Sequence, residues 1–511
     1  MYRFAKELEK LYSHHSNGGF QEKQTPLYTS LSENIKTLKE RFSSSADLTI
    51  RPVHLEHIET AVITMEGMVN KDILALAAIK PMAEGNLPPN PNKAFQILRD
   101  EILYTSEQVE VATLEMLEKF IMSGFAVILL DGINQGLALG IQGFNFRSIS
   151  EPDADVVQRG SKEGFVEALR INMTLVRRRI KNPTLKFETM TIGKVSKTDI
   201  CLCYLTDIVS PKILKALKKR LSEIPLNTVM ASGYITPFLE EKKDFSFFSG
   251  VGVSERPDTV CGKIAEGRIA ILVDGTPTAL LVPFLFVEYF QTLDDYSNRA
   301  YFATFTRWLK YIAFFIAILL PGLYVALGTY HPELFPIPLL NKIAGSIADT
   351  PLPLAGEVIV IYFVYEIMRE AGLRMPQPLG HAVSIVGALV IGETAVNAGL
   401  IGAPTLMVVA LTAICSYVIP SLYAPSAVLR LLFVLAAALL GIWGVVLLFC
   451  AVLLNICGKN SFGVPYFAPI SPFGLSAMRD VFVRSGWKIL AKRTQRVQSM
   501  PGTSTGGLDD E

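Results

Sequence analysis

Carboxylates occur where this sequence is otherwise apolar. Glu357, Glu366 and Glu393 fall within long runs of Ala, Val, Ile, Leu and Gly in the last third of the chain. Glu393 has Asn397 four residues further on, in HAVSIVGALVIGETAVNAGLIGAPTLMVVALTAI (381–414). On a helix, that spacing puts both side chains on one face. Ala388, Gly392, Ala395 and Gly399 form a neighbouring strip of small residues that permits close helix packing. A carboxylate at membrane depth costs about 3 kcal/mol on insertion scales, so it faces a partner, a bundle interior or water. Two chemistries fit these residues. One is an ion-conducting or gating surface made by Glu393, Asn397, Glu357 and Glu366. The other is a protonated or hydrogen-bonded carboxyl that holds helices together, with Glu366 and Arg369 as an i,i+3 pair.

The remaining chain is poor in reactive constellations. HLEHIE (54–59) offers His54, His57, Glu56 and Glu59, but with no further His or Cys cluster this is a weak metal site. The six cysteines show no C-x-x-C spacing, which argues against a disulfide framework or a zinc site. Ser161-Lys162 lacks the S-x-x-K spacing, and there is no G-x-S-x-G, H-E-x-x-H, Walker A or dinucleotide fingerprint. Neither enzymatic activity nor a cofactor is expected. A net charge of +1 gives no reason to invoke nucleic acid. The basic run Arg177, Arg178, Arg179, Lys181 reads as the solvated C-terminal end of a helix, with binding of anionic lipid or nucleic acid as the rival reading.

The elements that position these residues divide into two kinds. With 511 residues, 50% of them hydrophobic, and 19% charged, the chain exceeds one core and is too apolar for an ordinary soluble protein. Charged residues thin out near residue 307. Before it, FAVILLDGINQGLALGI (125–141) and GRIAILVDGTPTALLV (267–282) share a pattern of apolar run, Asp-Gly, polar gap and second apolar run. Asp131 and Gly132, and Asp274 and Gly275, are turn formers there, joining a strand to a strand or a strand to a helix. The three-and-four spacing of apolar residues predicts a helix through 161–182 with Ser161 as N-cap. A buried strand over 198–206 and a helix over 210–224 follow.

After residue 307 the runs 308–330 and 428–457 each suffice for a membrane crossing. Segments 354–373, 381–400 and 404–423 are less clean. Basic residues near the segment ends put the tail on the same side as Arg299, Arg307 and Lys310, whereas five full crossings would put it opposite. At least one segment is therefore broken or re-entrant, with 354–373 and 381–400 as the candidates. The expected fold is an α/β soluble N-terminal region of two subdomains followed by an α-helical polytopic membrane domain with four to five segments. Its parts are an N-terminal segment (1–60), an α/β domain (61–307, divided near 185–230), a transmembrane domain (308–457) and a basic tail (458–511), disordered at its end. The N-terminus lacks the apolar run of a signal peptide, so the front of the chain is expected in the cytoplasm.

Four stretches in order, EPDADVVQRGSKEGFVEALRINMTLVRRRIKNPTLK, SERPDTVCGKIAEGRIAILVDGTPTALLVPFLFVEYFQTLDDY, REAGLRMPQPLGHAVSIVGALVIGETAVNAGLIG and SFGVPYFAPISPF, resemble the A subunit of the GerA family of bacterial spore germinant receptors. The resemblance runs from about 120 to 490. It implies a multi-pass protein of the endospore inner membrane, with the N-terminal domain and the tail facing the spore core. It also implies a transporter-like B subunit and a lipoprotein C subunit as partners, contact with membrane lipid, and a homo-oligomer that conducts monovalent cations when nutrient is sensed. In the family the position of Glu393 is often Gln. Two other roles compatible with the sequence are an accessory channel component of the dipicolinic acid release system and a non-conducting scaffold that clusters receptors.

Overall fold

The computed structural model describes residues 25–55, 58–85, 87–103, 105, 107–143, 152, 155–241, 246–348, 350–375, 392–475, 477–490 and 496–504. Two compact units divide it: one spans residues up to 148 together with 170–188, and the other spans 149–169 together with 189–511.

Two five-stranded sheets have the same strand order. The first joins β1 (Leu48–Leu55), β2 (Ile58–Met65), β3 (Gln108–Val111), β4 (Ala126–Leu130) and β5 (Gly136–Leu139) in the order β1-β2-β4-β5-β3. The second joins β6 (Leu185–Ile192), β7 (Thr198–Leu205), β8 (Gly252–Ser254), β9 (Ile269–Val273) and β10 (Ala279–Val282) in the order β6-β7-β9-β10-β8. A helix precedes each sheet: α1 (Leu31–Arg41) and α3 (Leu169–Arg179). A second helix sits between the third and fourth strands: α2 (Leu114–Ile121) and α5 (Pro257–Ala265), with α4 (Pro211–Ser222) between β7 and β8. β4, β5, β9 and β10 are buried throughout, which matches their unbroken apolar runs.

The Asp-Gly turns carry the repeat down to single hydrogen bonds. Both join strand to strand, and Gly132 and Gly275 take φ of 89° and 80°. The carboxylate of Asp131 accepts from the Leu31 amide at 2.8 Å, and that of Asp274 from the Leu169 amide at 3.0 Å, so each aspartate caps the helix that precedes its sheet. Gly132 N–H donates to Thr29 O and Gly275 N–H to Glu167 O, each two residues before the capped helix. Asp131 and Asp274 donate their own amides to Glu59 and Asp199, the second residues of β2 and β7. A duplicated unit accounts for this matched geometry.

Several sequence expectations shift. Residues 31–60, set apart as an N-terminal segment, supply α1 and β1 to the first sheet. The helix expected from Ser161 starts at Leu169, because Phe165 N–H and Glu167 O bond to Glu255 and Gly275 and hold the preceding chain extended. Arg177, expected in solvent, is buried against Asp47 at 2.7 Å and also donates to the carbonyls of Asn182 and Leu185. His54 lies opposite Glu59 on the neighbouring strand, while Glu56 and His57 fall outside the described residues.

Beyond the second sheet the helices are α6 (Ala300–Tyr330), α7 (Leu354–Arg374), α8 (Ala403–Ser416) and α9 (Tyr423–Gly458), with a short helix, Ile337–Ala348, between α6 and α7. Among the described residues two helical stretches are long and apolar enough to cross a membrane, Ala300–Tyr330 and Pro420–Gly458. The expected number of four to five segments is therefore not established by these helices. Segment 354–373, one of the two candidates for a broken or re-entrant segment, lies in one uninterrupted 21-residue helix, Leu354–Arg374, and residues 381–391 of the other candidate lie outside the described residues. A break falls inside the run 428–457, at Gly441, whose φ of 61° and ψ of −141° are open to glycine alone. The chain reverses there. Arg430 and Phe433 lie beside Ala317 and Gly322, and Ala438 beside Tyr330, but Phe449 is back beside Phe315 with ring centroids 6.4 Å apart. A side chain on Gly444 would overlap the carbonyl oxygen of Ala436, eight residues earlier, whereas a straight helix separates such positions by about 12 Å.

The tail returns to the second sheet's side. Ser461 donates to Gly250 O at 2.8 Å, Lys459 to Phe248 O, and Val497 N–H to Glu266 O at 2.9 Å. Residues 498–504, which composition marks as disordered, include the short helix Val497–Ser499, and Ser504 N–H donates to Gly463 O. Residues 505–511 lie outside the described set.

The duplicated caps define a test. Asp131→Ala and Asp274→Ala each remove a charged helix cap, and each should lower stability by about 1–2 kcal/mol. Thermal unfolding of the full chain should show two variants with similar losses. A loss confined to one would mean that the matched bonds are not energetically equivalent.

Candidate functional site

Among the described residues of the helical region, Glu357 and Arg430 are buried in contact with backbone groups, which shows why each is tolerated. Glu357, fully buried, lies one turn into α7. Its Oε2 accepts from the Gly402 amide at 3.1 Å and from Thr405 Oγ1 at 2.9 Å, and Oε1 accepts from Thr350. Gly402 and Thr405 form the N-terminus of α8, where exposed N–H groups and the helix dipole favour a negative charge. Glu357 is therefore a cap for a neighbouring helix. A side chain at position 402 would run into Ser346 and the Glu357 carboxylate, so glycine is required by close approach.

Arg430 occupies the middle of the bundle, 1% exposed, and among the described residues it makes no ion pair. Its Nε donates to Ala317 O at 2.8 Å. That carbonyl is four residues before Pro321, which has no N–H to return the helical hydrogen bond. The guanidinium also donates to Ser416 of α8 and lies over the Tyr362 ring of α7 at 5.2 Å, while its Nη1 has no partner. One cation thus touches α6, α7, α8 and its own helix.

Glu366 is part-buried. It accepts from Tyr423 O–H at 2.8 Å and Arg369 Nε at 3.1 Å, and the Arg369 guanidinium lies over the Tyr423 ring at 4.2 Å. Glu393 and Asn397 are both exposed on helical residues 392–397, the described end of a segment whose preceding residues lie outside the described set. That helix ends where Leu400 N–H bonds to Ala395 O and Gly399 N–H to Val396 O, with Gly399 at φ 65°. Gly399 is thus the left-handed residue of a helix C-terminus, a role distinct from the packing expected of it. Gly392 is buried against Leu406 and Ala395 packs on the helical core, while Ala388 lies outside the described residues. Among the described residues no hydrogen bond links Glu357, Glu366, Glu393 and Asn397 to one another.

Where α6 leaves the second sheet, sequence reasoning missed an ion network. Arg307, fully buried, donates to Asp295 Oδ2 at 3.0 Å and to Asp480 Oδ1 at 2.9 Å; Lys310 bonds Asp295 Oδ1 at 3.0 Å, and Tyr296 O–H donates to Asp480 at 2.5 Å. Burial and then the Asp480 charge push the Tyr296 phenol well above its usual range, so it stays a donor. Beside the network, Phe286 meets the rings of Phe248, Phe314, Phe290 and Phe467 edge-on at 5.3–5.8 Å. A lone arginine in VLRLLFVL was the sequence signal for Arg430. Asp480 had none, since it lies 173 residues from Arg307.

An α/β region with a repeated strand order, followed by a helical region with two stretches long and apolar enough to cross a membrane, is the architecture of a membrane-associated protein. The profile of the Bacillus/Clostridium GerA spore germination protein family matches residues 36–496, and the chain belongs to that family. Spore germination protein KA of Bacillus subtilis (strain 168) is 38% identical over 484 residues, covering 93% of this chain and 89% of that protein. Spore germination protein GerLA of Bacillus cereus is 34% identical, covering 93% and 96%. The crystal structure of the N-terminal domain of the A subunit of the Bacillus megaterium spore germinant receptor GerK3 is 29% identical, with a TM-score of 0.41, covering 52% of this chain and 99% of that one. The chain is a germinant receptor family subunit of spore germination.

Two measurements test the buried charges. Arg430→Met should lower stability by about 2–3 kcal/mol by leaving Ala317 O and Ser416 without a donor. In a Pro321→Ala background the loss should shrink by about 1 kcal/mol, because residue 321 regains the N–H that the Ala317 carbonyl lacks. Additive effects would refute the link. The second concerns Glu288, buried in the second unit with Lys263 at 2.8 Å and Arg268 in contact. Burial alone would raise its carboxyl, but the charges of Arg268 and Lys263 hold it below the usual range. A lowered folded value means stability that is complete above about pH 4.3 and lost as pH falls through the folded value. Glu288→Gln should melt several degrees below wild type at pH 7, and the gap should close below pH 4. A constant gap would refute this assignment.

Proposed function

We propose that this chain is the A-type subunit of a nutrient germinant receptor in the inner membrane of the endospore. It acts with a transporter-like B subunit and a lipoprotein C subunit, and several copies line a cation channel that opens when nutrient binds a partner. The observation that carries the reading is the pair Glu393 and Asn397, exposed one helical turn apart within an otherwise apolar region. An exposed polar face there calls for water or a second copy beside it. The subunit does no covalent chemistry in this reading. Opening shifts a closed-to-open equilibrium through the differential affinity of liganded partners for the open state.

An even number of crossings is also part of the proposal. The chain enters α6 and leaves α9 beside the same α/β unit, and the reversal at Gly441 turns the run 428–457 into two passes. The first half, residues 423–440, spans about 27 Å, close to the roughly 30 Å of hydrocarbon. Both termini then face the spore core, in agreement with the basic tail.

Potassium efflux from liposomes holding the chain and its B and C partners tests the channel reading. Nutrient should open a potassium flux that Glu393→Gln retains and that Glu393→Lys lowers about tenfold through charge repulsion. Flux no greater than background for wild type with all partners would sink the channel and favour a clustering scaffold. Flux that dipicolinic acid competes for and nutrient leaves unchanged would favour the accessory role.

A further inference from the structure

An uncovered aromatic and basic face remains at the foot of α6. Tyr301, Phe305, Trp308, Ile312 and Phe315 recur at intervals of three and four, and all are exposed, forming one stripe that runs without a gap into the apolar part of the helix. The tail extends this stripe sideways. Trp308 Nε1 donates to Phe482 O at 2.9 Å, and the Phe482 ring lies 5.1 Å from that of Tyr311. Phe482, Val483, Trp487 and Ile489 then follow, the last three 52%, 58% and 48% exposed. Trp487 is held in place by the Arg484 guanidinium 4.8 Å above its ring and by the Tyr296 ring at 6.2 Å. From residue 481 to 496 the chain has five basic residues, Arg484, Lys488, Lys492, Arg493 and Arg496, and no acidic one.

Apolar side chains in water at this density need a cover, and three observations select it. The face is continuous with a helix that is apolar enough to cross a membrane. Its tryptophans have an apolar body and a polar edge, which suits the headgroup level. Its charge is of one sign. We propose that residues 482–489 form a membrane-surface anchor that inserts Phe482, Val483, Trp487 and Ile489 at the headgroup boundary and takes anionic phospholipid as its ligand, with Lys488 on the phosphates and the basic charge of the sequence that follows adding attraction. The inference rests on the reading that α6 crosses a membrane. The anchor then sits directly against the Asp480–Arg307 pair, so lipid composition bears on the same joint that fastens the tail to α6.

The chain has three tryptophans, which makes the test direct. Trp308→Phe with Trp443→Phe leaves Trp487, and Trp308→Phe with Trp487→Phe leaves Trp443, which is 73% exposed on α9. Both are reconstituted as full chains in liposomes of phosphatidylcholine alone or with phosphatidylglycerol, with lipids brominated near the glycerol end of the acyl chain. Trp487 should be quenched by these lipids and shielded from aqueous iodide. Its quenching should rise about twofold with phosphatidylglycerol, and Lys488→Glu with Lys492→Glu should abolish that rise. If Trp443 is quenched by lipid and Trp487 is quenched only by iodide, the anchor is overturned while the crossing stands. If neither is quenched by lipid, the membrane reading of α6 and α9 fails and takes the anchor with it. Trp487 shielded from both quenchers, at every lipid composition, would mean that a second copy covers the face, and overturns the lipid assignment. Trp443→Phe alone, which keeps the Trp308–Phe482 bond, repeats the iodide measurement should Trp308→Phe disturb the tail.

Discussion

Pro321 cannot donate a hydrogen bond, and the arrangement of the helical bundle follows from how the carbonyl it leaves free is satisfied. In a membrane setting Ala317 O has no water to turn to. Arg430 supplies the missing donor at 2.8 Å, and in doing so its charge is placed among Tyr362, Ser416 and α6. The proline and the arginine are each unfavourable alone in an apolar helix. Together they remove most of each other's penalty, and the pairing fixes the height of α9 against α6 to within one helical turn. The tight approach of Gly322 to Phe433 follows, since no larger residue at 322 would leave room for that height.

Backbone groups answer buried charge twice in this protein. Glu357 rests on amide and hydroxyl donors at the start of α8, and Arg430 rests on a carbonyl; among the described residues neither faces an opposite charge. Arg307, about 15 Å along α6 from Ala317 toward the second sheet, is instead neutralised by carboxylates. The difference matches the surroundings. Side-chain ion pairs hold where the helix meets the folded α/β unit and tail, while in the apolar stretch the fixed dipoles of helix ends and a broken ladder do the same work at lower desolvation cost.

What was legible in the sequence was local. Two Asp-Gly pairs between apolar runs revealed the two subdomains, because a positive-φ glycine and its aspartate carry their turn with them. The apolar runs after residue 307 revealed a helical region by length alone. The charge count conflicted with five full crossings, but it did not point to Gly441. Gly441 lies in AAALLGIWG, where glycine is compatible with a membrane helix, and only the approach of Tyr330 and Ala436 marks the turn. Glu357 was visible as an oddity but not as a cap, since its donors are 45 and 48 residues away. Asp480 and the tail were illegible for the same reason at larger separation. Ser161 misled because a good N-cap residue says nothing about whether the following backbone is claimed by another strand.

The same contrast separates what is fixed from what is free to respond. Glu357, Glu366, Arg369 and Arg430 each have two or more close contacts that span different helices, so moving any of them breaks several interactions at once. Arg307 fastens α6 to the tail in the same way. Glu393 and Asn397 lie one turn apart just before the Gly399 turn, with their side chains exposed. An exposed side chain has fewer interactions to break when its segment moves. In a bundle where Glu357 and Arg430 are locked to backbone groups and Glu366 and Arg369 to Tyr423, a conformational signal arriving through α6 would meet less resistance at the exposed pair.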